Sequence, residues 1–141
     1  MNSNENFHII ESLGLTLVSH TKILNQQSIE AIISGLVQNP FFRDKFLVLI
    51  DIRDADIKMT SNEIVISSQL VYEGLKETGI KKFAILASAA QMNKAVEFVH
   101  AYRESSKYQV FSSLNATLYW LGITIERKSQ IQVKLDYLST Y

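Results

Sequence analysis

The chain carries an unbroken apolar run from Phe46 to Ile50. A strand with one solvated face alternates apolar and polar residues, so a run without alternation predicts a strand that is covered on both faces. We therefore expect this segment in the centre of a sheet. The segment from Lys82 to Ala87 is predicted to be the next buried strand.

Helical periodicity precedes the first of these strands. Asn25 is predicted to be an N-cap, and the apolar residues after it recur at i, i+3, i+4 and i+7, which favours a helix of about three turns. These residues are Ile29, Ile32, Ile33 and Leu36. Pro40 ends the helix, because the residue before a proline is pushed out of the α region.

A second helix is predicted between the two buried strands. Thr60 and Glu63 have the spacing of a capping box, in which a hydroxyl and a glutamate satisfy each other's backbone donors. We expect this helix to run to about Thr78. Gly79 would then supply the left-handed residue that follows a helix end.

The alternation of strands and helices continues to Gly122. Ser88 is predicted to open a third helix, residues 108–111 to form a strand, and Ser112 or Ser113 to cap a short helix that Gly122 closes. Such alternation is typical of an α/β sheet with parallel, right-handed crossovers.

Two short strands are predicted before the first helix, from Phe7 to Ile10 and from Leu13 to Val18. The expected fold class is therefore a single α/β domain with about four helices.

The segment 123–141 is treated as a C-terminal extension of a domain that spans residues 1–122. Apolar residues alternate with polar ones along it, which predicts an edge strand or a β-hairpin with its turn at residues 127–129. Ile131, Leu135 and Leu138 also fit a helical stripe, so a helix is the alternative.

Composition limits the function classes. The 141 residues contain 14 basic and 14 acidic side chains and no cysteine, which excludes zinc–cysteine sites and thiol nucleophiles. The neutral total argues against nucleic-acid binding and against a polybasic membrane patch. It hides an uneven distribution, because residues 1–70 hold 5 basic and 8 acidic groups and residues 71–141 hold 9 and 6.

The expected location is cytoplasmic. The first ten residues contain no basic side chain before their short apolar stretch, unlike a secretory signal. The longest apolar run is about a quarter of the roughly 20 residues that a bilayer crossing needs, so no transmembrane segment is expected.

The acidic loop that follows the first buried strand is the leading candidate site, because ligands bind at the carboxyl ends of strands in open α/β sheets. Its charged residues are Asp51, Arg53, Asp54 and Asp56. Three carboxylates are hard ligands that suit Mg²⁺ or Ca²⁺. The favoured interpretation is local: Arg53 pairs with its neighbours and Asp51 caps the turn.

Hydroxyl groups at predicted helix starts are further ligand or partner candidates. Thr60 and Ser61 are explained as caps, yet a phosphate at that position would be stabilised by free N–H groups and the helix dipole. Ser88 could act as a nucleophile or anion site, although a cap is the favoured role. The three histidines, His8, His20 and His100, form no recognised pair. Trp120 is expected to be partly exposed, either as an ordinary residue that bridges core and surface or as a dimer or partner contact.

Three segments together resemble the SpoIIAA-like (STAS/SEC14-like) bacterial proteins. They run from Leu47 to Ala55, from Lys82 to Ala87 and from Val110 to Gly122. Proteins of that family have an apolar strand ending in D-x-R, here Asp51 to Arg53, and a closing segment that ends in W-L. The resemblance covers about residues 7–122.

The resemblance implies a single-domain α/β sandwich with a central mixed β-sheet, in most cases without an assigned enzymatic activity. No cofactor is expected. In the anti-sigma-factor antagonists of this family, a D-S-S-G-type element at a helix N-terminus carries a serine that a partner kinase phosphorylates. Counted from Asp51, that element falls at residues 59–62, where Met59 and Asn62 replace the acidic residue and the glycine. Only the hydroxyls of Thr60 and Ser61 are retained.

The leading hypothesis is therefore a non-enzymatic STAS-like module, cytoplasmic and homodimeric, that binds a protein partner or a small ligand. One alternative is a carrier of an apolar, lipid-like ligand, although a chain of this length has few apolar residues to spare for a lipid-sized cavity. The other is a small metal-dependent enzyme built on Asp51, Asp54 and Asp56.

Overall fold

The computed structural model describes residues 7–42, 46–101 and 105–140. Seven strands and five helices lie within those residues. The strands are β1 (Phe7–Ile10), β2 (Leu15–Ser19), β3 (Ile23–Leu24), β4 (Leu47–Asp51), β5 (Asp56–Ile57), β6 (Lys82–Leu86) and β7 (Tyr108–Phe111). The helices are α1 (Gln26–Gln38), α2 (Ser61–Leu75), α3 (Met92–His100), α4 (Leu114–Leu121) and α5 (Lys128–Leu138).

The central sheet is mixed, as predicted. Its order is β1-β2-β4-β6-β7, and β3 pairs with β5 in a separate two-stranded sheet. β1 is antiparallel to β2, whereas β2, β4, β6 and β7 are all parallel to one another. The uninterrupted apolar run supplies β4, which is the middle strand, and the prediction of a central strand is confirmed.

Helices α1, α2 and α3 cover one face of this sheet. Ile33 of α1, Val71 of α2 and Val99 of α3 share one apolar core with Val48 and Phe83 of the sheet. The strand order explains this arrangement, because each new parallel strand is added on the same side of the previous one. Right-handed crossovers made in one direction place all their helices on the same face.

The opposite face of the sheet is equally apolar and needs its own cover. The side chains that line it, namely Leu15, Leu17, Leu49, Ala84 and Leu86, are fully buried. They lie beneath α4 and α5, which contribute Leu118, Ile131 and Leu135 to the same core.

The prediction of a hairpin or edge strand in residues 123–141 is therefore wrong, since residues 128–138 form α5. A hairpin would place alternate residues on one face, but the uncovered surface of β1 and β2 is matched by the stripe Ile131, Leu135 and Leu138, all of which are buried. The need to cover that surface decides between two patterns that the sequence allows. The described residues thus contain five α-helices, whereas about four were predicted.

Most of the predicted helix ends are confirmed. The Asn25 side chain accepts the Ser28 N–H at 2.9 Å, and Thr60 with Glu63 forms the predicted capping box. Ser113, not Ser112, caps α4, and Gly122 ends it in the left-handed conformation at φ 77°. α1 ends at Gln38, before Pro40.

Two predicted helix ends are wrong. α2 ends at Leu75, and Gly79 is not in the left-handed region. The N–H and the hydroxyl of Thr78 both donate to the Leu75 carbonyl, at 3.0 and 2.6 Å, so the helix end is satisfied without a left-handed residue. Ser88 does not cap α3, which begins at Met92 after a turn.

The helical character of the tail has a testable consequence. Leu135→Ala removes a buried side chain from the core and is expected to lower the free energy of unfolding by about 2–5 kcal/mol. Val133→Ala alters a side chain that α5 exposes to solvent, and its effect should stay within about 0.5 kcal/mol. Urea unfolding measures both. A hairpin would place Val133 and Leu135 on the same face, so equal losses would contradict the helix.

Candidate functional site

The parallel strands end together at one edge of the sheet, here called the carboxyl edge. Ser19 at the end of β2 is paired with Asp51 at the end of β4, and Asp51 is paired with Leu86 at the end of β6. The loop that carries Asp51 and Arg53 and the turn that begins at Ser88 therefore lie side by side. This is the region where open α/β sheets place ligand sites.

Asp51 and Arg53 form a tight local pair. The guanidinium donates to both carboxylate oxygens, from Nε to Oδ1 at 2.9 Å and from Nη2 to Oδ2 at 2.8 Å. The Arg53 backbone N–H also donates to Oδ1, at 3.0 Å. The hydrogen bond to Asp51 raises the pKa of Arg53 above its ordinary value, and the charges of Asp51, Asp54 and Asp136 act in the same direction. The predicted local role of this pair is confirmed.

The structure does not bring the three aspartates of the loop together as metal ligands. Both oxygens of Asp51 are occupied by Arg53, Asp54 is exposed, and the Asp56 carboxylate lies 3.4 Å from the Lys58 ammonium. Within residues 7–42, 46–101 and 105–140, no group of three His, Cys, Asp or Glu side chains could hold a metal ion.

Gln91 joins the two loops of the carboxyl edge. Its Nε2 donates to the backbone oxygens of Arg53, at 3.0 Å, and of Ala55. Its Oε1 accepts from the N–H and from the hydroxyl of Ser88, both at 2.9 Å. Gln91 is only 7% exposed, so its amide is buried. All four of its hydrogen bonds are made within the protein, and they link the two loops.

Sequence reasoning missed Gln91, although a signal was present. Ser88 and Gln91 have the S-x-x-Q spacing of a capping box. Only half of the box forms, because the amide reaches back to the Ser88 N–H while the serine hydroxyl bonds the same amide. An amide oxygen is not a base, so this arrangement does not activate Ser88 as a nucleophile.

Thr60 and Ser61 lie at the start of α2, apart from the Gln91 network. Thr60 Oγ1 accepts the Glu63 N–H at 3.2 Å, and the Thr60 N–H donates to Glu63 Oε1 at 2.9 Å. Ser61 is exposed as the first residue of the helix. Across the part of the chain that the structure describes, no hydrogen bond links either hydroxyl to Asp51, Arg53 or Gln91.

The three histidines lie in separate places. His20 Nε2 is 2.8 Å from the Ile23 carbonyl, and His100 is exposed at the end of α3. His8 lies on β1. Burial, and then the positive charge of Lys134 on α5, lower the pKa of His8.

An apolar cavity lies between the sheet and α1, α2 and α3. It is lined by Ile33, Ile50, Met59, Val71 and Phe83 among others, and Lys94 is the only charged side chain that the described residues contribute to its wall. Its volume is about 60 Å³. Engineered cavities that bind benzene measure about 150 Å³, and sites for drug-sized ligands begin near 300 Å³. The cavity is therefore much smaller than a lipid.

Trp120 is half-buried, as the sequence predicts. Its ring lies 5.5 Å from that of Phe111, centroid to centroid, and the Lys82 ammonium is 5.3 Å from its centroid. The neighbouring Tyr119, which sequence reasoning did not single out, is 88% exposed.

Comparison with protein-family models, with curated proteins and with solved structures found no match to this chain. None of the helices in the described part of the chain combines the length and the hydropathy that a membrane span requires.

Gln91→Leu tests whether the Gln91 amide holds the two loops of the carboxyl edge together. The substitution keeps the size of the side chain but leaves the Ser88 N–H and two carbonyls without their buried partner, which costs about 1–3 kcal/mol of unfolding free energy. Gln69→Leu, at an exposed position of α2, is the matched control and should be close to neutral. Equal stability of the two variants in urea unfolding would contradict this role of the Gln91 amide.

The lowered pKa of His8 predicts that the stability of the fold depends on pH. Because its pKa is lowered in the folded state, the unfolded chain binds the proton more readily. The stability that neutral His8 contributes is fully present above the ordinary histidine pKa of about 6.5. It is lost as the pH falls from there through the lowered pKa of the folded state. His8→Gln should remove this component from thermal unfolding curves recorded at several pH values. His100→Gln should leave it in place, and a profile unchanged by His8→Gln would refute its origin.

Proposed function

We propose that the chain is a non-enzymatic STAS-like module that binds a protein partner through the start of α2. The resemblance of residues 7–122 to SpoIIAA-like proteins is the reason for proposing a STAS-like module. We also propose that the protein is bacterial and cytoplasmic and that it forms a homodimer.

The exposed side of α2 is the observation that carries the proposed partner surface. Val65 and Ile66 are each about half exposed, little more than one turn after Thr60 and Ser61. Exposed apolar side chains that adjoin one another and are rimmed by polar groups supply a candidate contact surface for a partner protein. We define Thr60, Ser61, Val65 and Ile66 as the α2 surface.

The position of α2 is fixed by a close approach to α1. A Cβ atom on Gly74 would lie only 2.5 Å from Cγ2 of Ile33, so the glycine allows the two helices to pack at this distance. Met59, directly before the helix, is buried, and its sulfur accepts from the Ser67 hydroxyl at 3.5 Å. The α2 surface is thus presented by a helix held at both ends.

The hydroxyls supply a route for regulation. A phosphate on Ser61 would face the free N–H groups and the positive end of the helix dipole. It would also add about two negative charges beside Val65 and Ile66, which opposes the docking of an apolar partner. Met59 and Asn62 depart from the family's D-S-S-G pattern, so partner binding, not phosphorylation, is the core of the proposal.

Two alternatives from the sequence receive less support. The enzyme built on Asp51, Asp54 and Asp56 needs carboxylates that converge, whereas Asp51 is occupied by Arg53 and Asp56 lies near Lys58. The lipid carrier needs more than the 60 Å³ of the apolar cavity. A small apolar ligand remains compatible with that volume, and native mass spectrometry of the purified protein would reveal one as added mass.

Partner capture tests the proposal. The chain, immobilised and exposed to a lysate of its own host, should retain a partner that Val65→Ser and Ile66→Ser variants lose. Val133→Ser, which removes an exposed apolar side chain from α5, is the matched control and should retain the partner. Retention by all three variants would refute the α2 surface.

The regulatory step has its own test. Ser61→Glu adds negative charge at the helix start and leaves the Thr60 cap intact. It is expected to weaken partner affinity by at least about fivefold, which corresponds to about 1 kcal/mol of binding free energy. Ser61→Ala keeps the site uncharged and should bind normally. Titration calorimetry with the captured partner compares them, and unchanged affinity of Ser61→Glu would show that the hydroxyl is not a switch.

A further inference from the structure

The opposite end of the sheet, where the parallel strands begin, concentrates positive charge. We call it the amino edge. Phe46 precedes β4 and Lys81 precedes β6, and the Lys81 N–H donates to the Phe46 carbonyl at 2.7 Å. Phe83 is paired with Tyr108, so Lys82, the first residue of β6, and Lys107, the residue before β7, lie at the starts of neighbouring strands. Lys81, Lys82 and Lys107 therefore lie along one edge.

These three lysines have no acidic partner among the described residues. The ion pairs recorded there join Arg53 to Asp51, Lys58 to Asp56 and Lys76 to Glu73. The Lys82 ammonium instead donates to the Trp120 carbonyl at 2.6 Å, at the end of α4. Among the described residues, Lys81 and Lys107 thus carry positive charge without a direct ion pair. The neutral total of the whole chain, which argues against a polybasic membrane patch, does not reveal this local charge.

Exposed aromatic side chains accompany the lysines. Phe46 is 48% exposed and Tyr119 is 88% exposed. The Lys81 ammonium lies 5.5 Å from the centroid of the Phe46 ring, and the Lys82 ammonium lies 5.3 Å from that of Trp120. Each of these lysines is therefore held beside an aromatic ring.

We propose that the amino edge docks on the surface of an anionic lipid bilayer. Lysines near such a surface are attracted by its negative potential, and each contributes about a fivefold gain in binding. Tyr and Trp favour the headgroup level, where a ring can meet the apolar boundary while its polar atoms stay hydrated. Charge and amphipathic rings on the same edge match both features of that surface.

The arrangement of the rings favours a bilayer over a nucleic acid. Single-stranded nucleic acids bind to proteins by stacking bases on open aromatic faces inside a basic groove. At the amino edge, ammonium groups lie over the rings of Phe46 and Trp120. Those faces are therefore not open for base stacking, whereas a bilayer interface requires only that the rings lie near the headgroups.

This association would be peripheral, reversible and sensitive to salt, because three lysines and two exposed rings give modest affinity. It goes beyond the proposed function. The α2 surface follows β5 at the carboxyl end of β4, whereas α2 itself runs back to the amino edge before β6. The chain could therefore sit on a membrane while its partner surface remains accessible.

Vesicle sedimentation tests the proposal with the full chain. Vesicles of phosphatidylcholine with about one-third phosphatidylserine should sediment the protein, whereas vesicles of phosphatidylcholine alone should not. At about 1 M salt, where the Debye length falls to about 3 Å, binding should be lost. Equal binding to both kinds of vesicle, or no binding at low salt, would overturn the proposal.

Matched variants locate the surface. Lys81→Ser, Lys107→Ser and Tyr119→Ser combined should weaken binding by at least about 25-fold, and they leave Lys82 and Trp120 intact. The control combines Lys22→Ser, Lys58→Ser and Val133→Ser, which remove the same charge elsewhere on the chain. Circular dichroism confirms that both fold. Equal loss in both variants would overturn the proposal, as would tighter binding to a single-stranded RNA than to the anionic vesicles.

Discussion

Burial of both faces of one parallel sheet is the constraint on which this structure depends. Leu17 and Leu49 point to one side, and Val48 and Phe83 point to the other; all are buried. Three crossover helices cover only one side, because every crossover runs in the same direction along the sheet. The other side would be left in water unless the chain returned to cover it, and α4 and α5 do so. The last helix is therefore part of the domain.

The same layering leaves the two ends of the sheet to carry polar groups. At the carboxyl edge, the Asp51–Arg53 pair and the buried amide of Gln91 hold two loops together through short hydrogen bonds. The Arg53 guanidinium bonds the Asp51 carboxylate, and the Gln91 amide bonds Ser88 and two backbone carbonyls. At the amino edge, Lys81 and Lys107 are exposed and have no acidic partner within the described residues, whereas the Lys82 ammonium donates to the Trp120 carbonyl. The two edges therefore differ in how far their charged groups are paired within the protein.

The sequence predicts those parts of the fold that depend on local chemistry. The strands at residues 7–10 and 108–111, the caps at Asn25 and Thr60 and the left-handed end at Gly122 follow from residue type and spacing, and all are present. The tail could not be assigned in this way, because its apolar residues fit two periods and only the uncovered sheet face selects one. Gln91 was missed for a similar reason: half of its bonds are to a loop some 36 residues earlier in the chain. The pairing of Asp51 with Arg53, two residues apart, was predictable.

The most direct test of this account is equilibrium unfolding of a chain that ends at Gly122. Without α5, the side chains of Leu15, Leu17 and Leu49 would lose much of their cover. The truncated chain is expected to show no cooperative transition in urea, and a peptide spanning residues 123–141, added in trans, should restore one. A truncated chain that unfolds cooperatively with the free energy of the full-length protein would contradict the claim that the sheet requires its C-terminal helix.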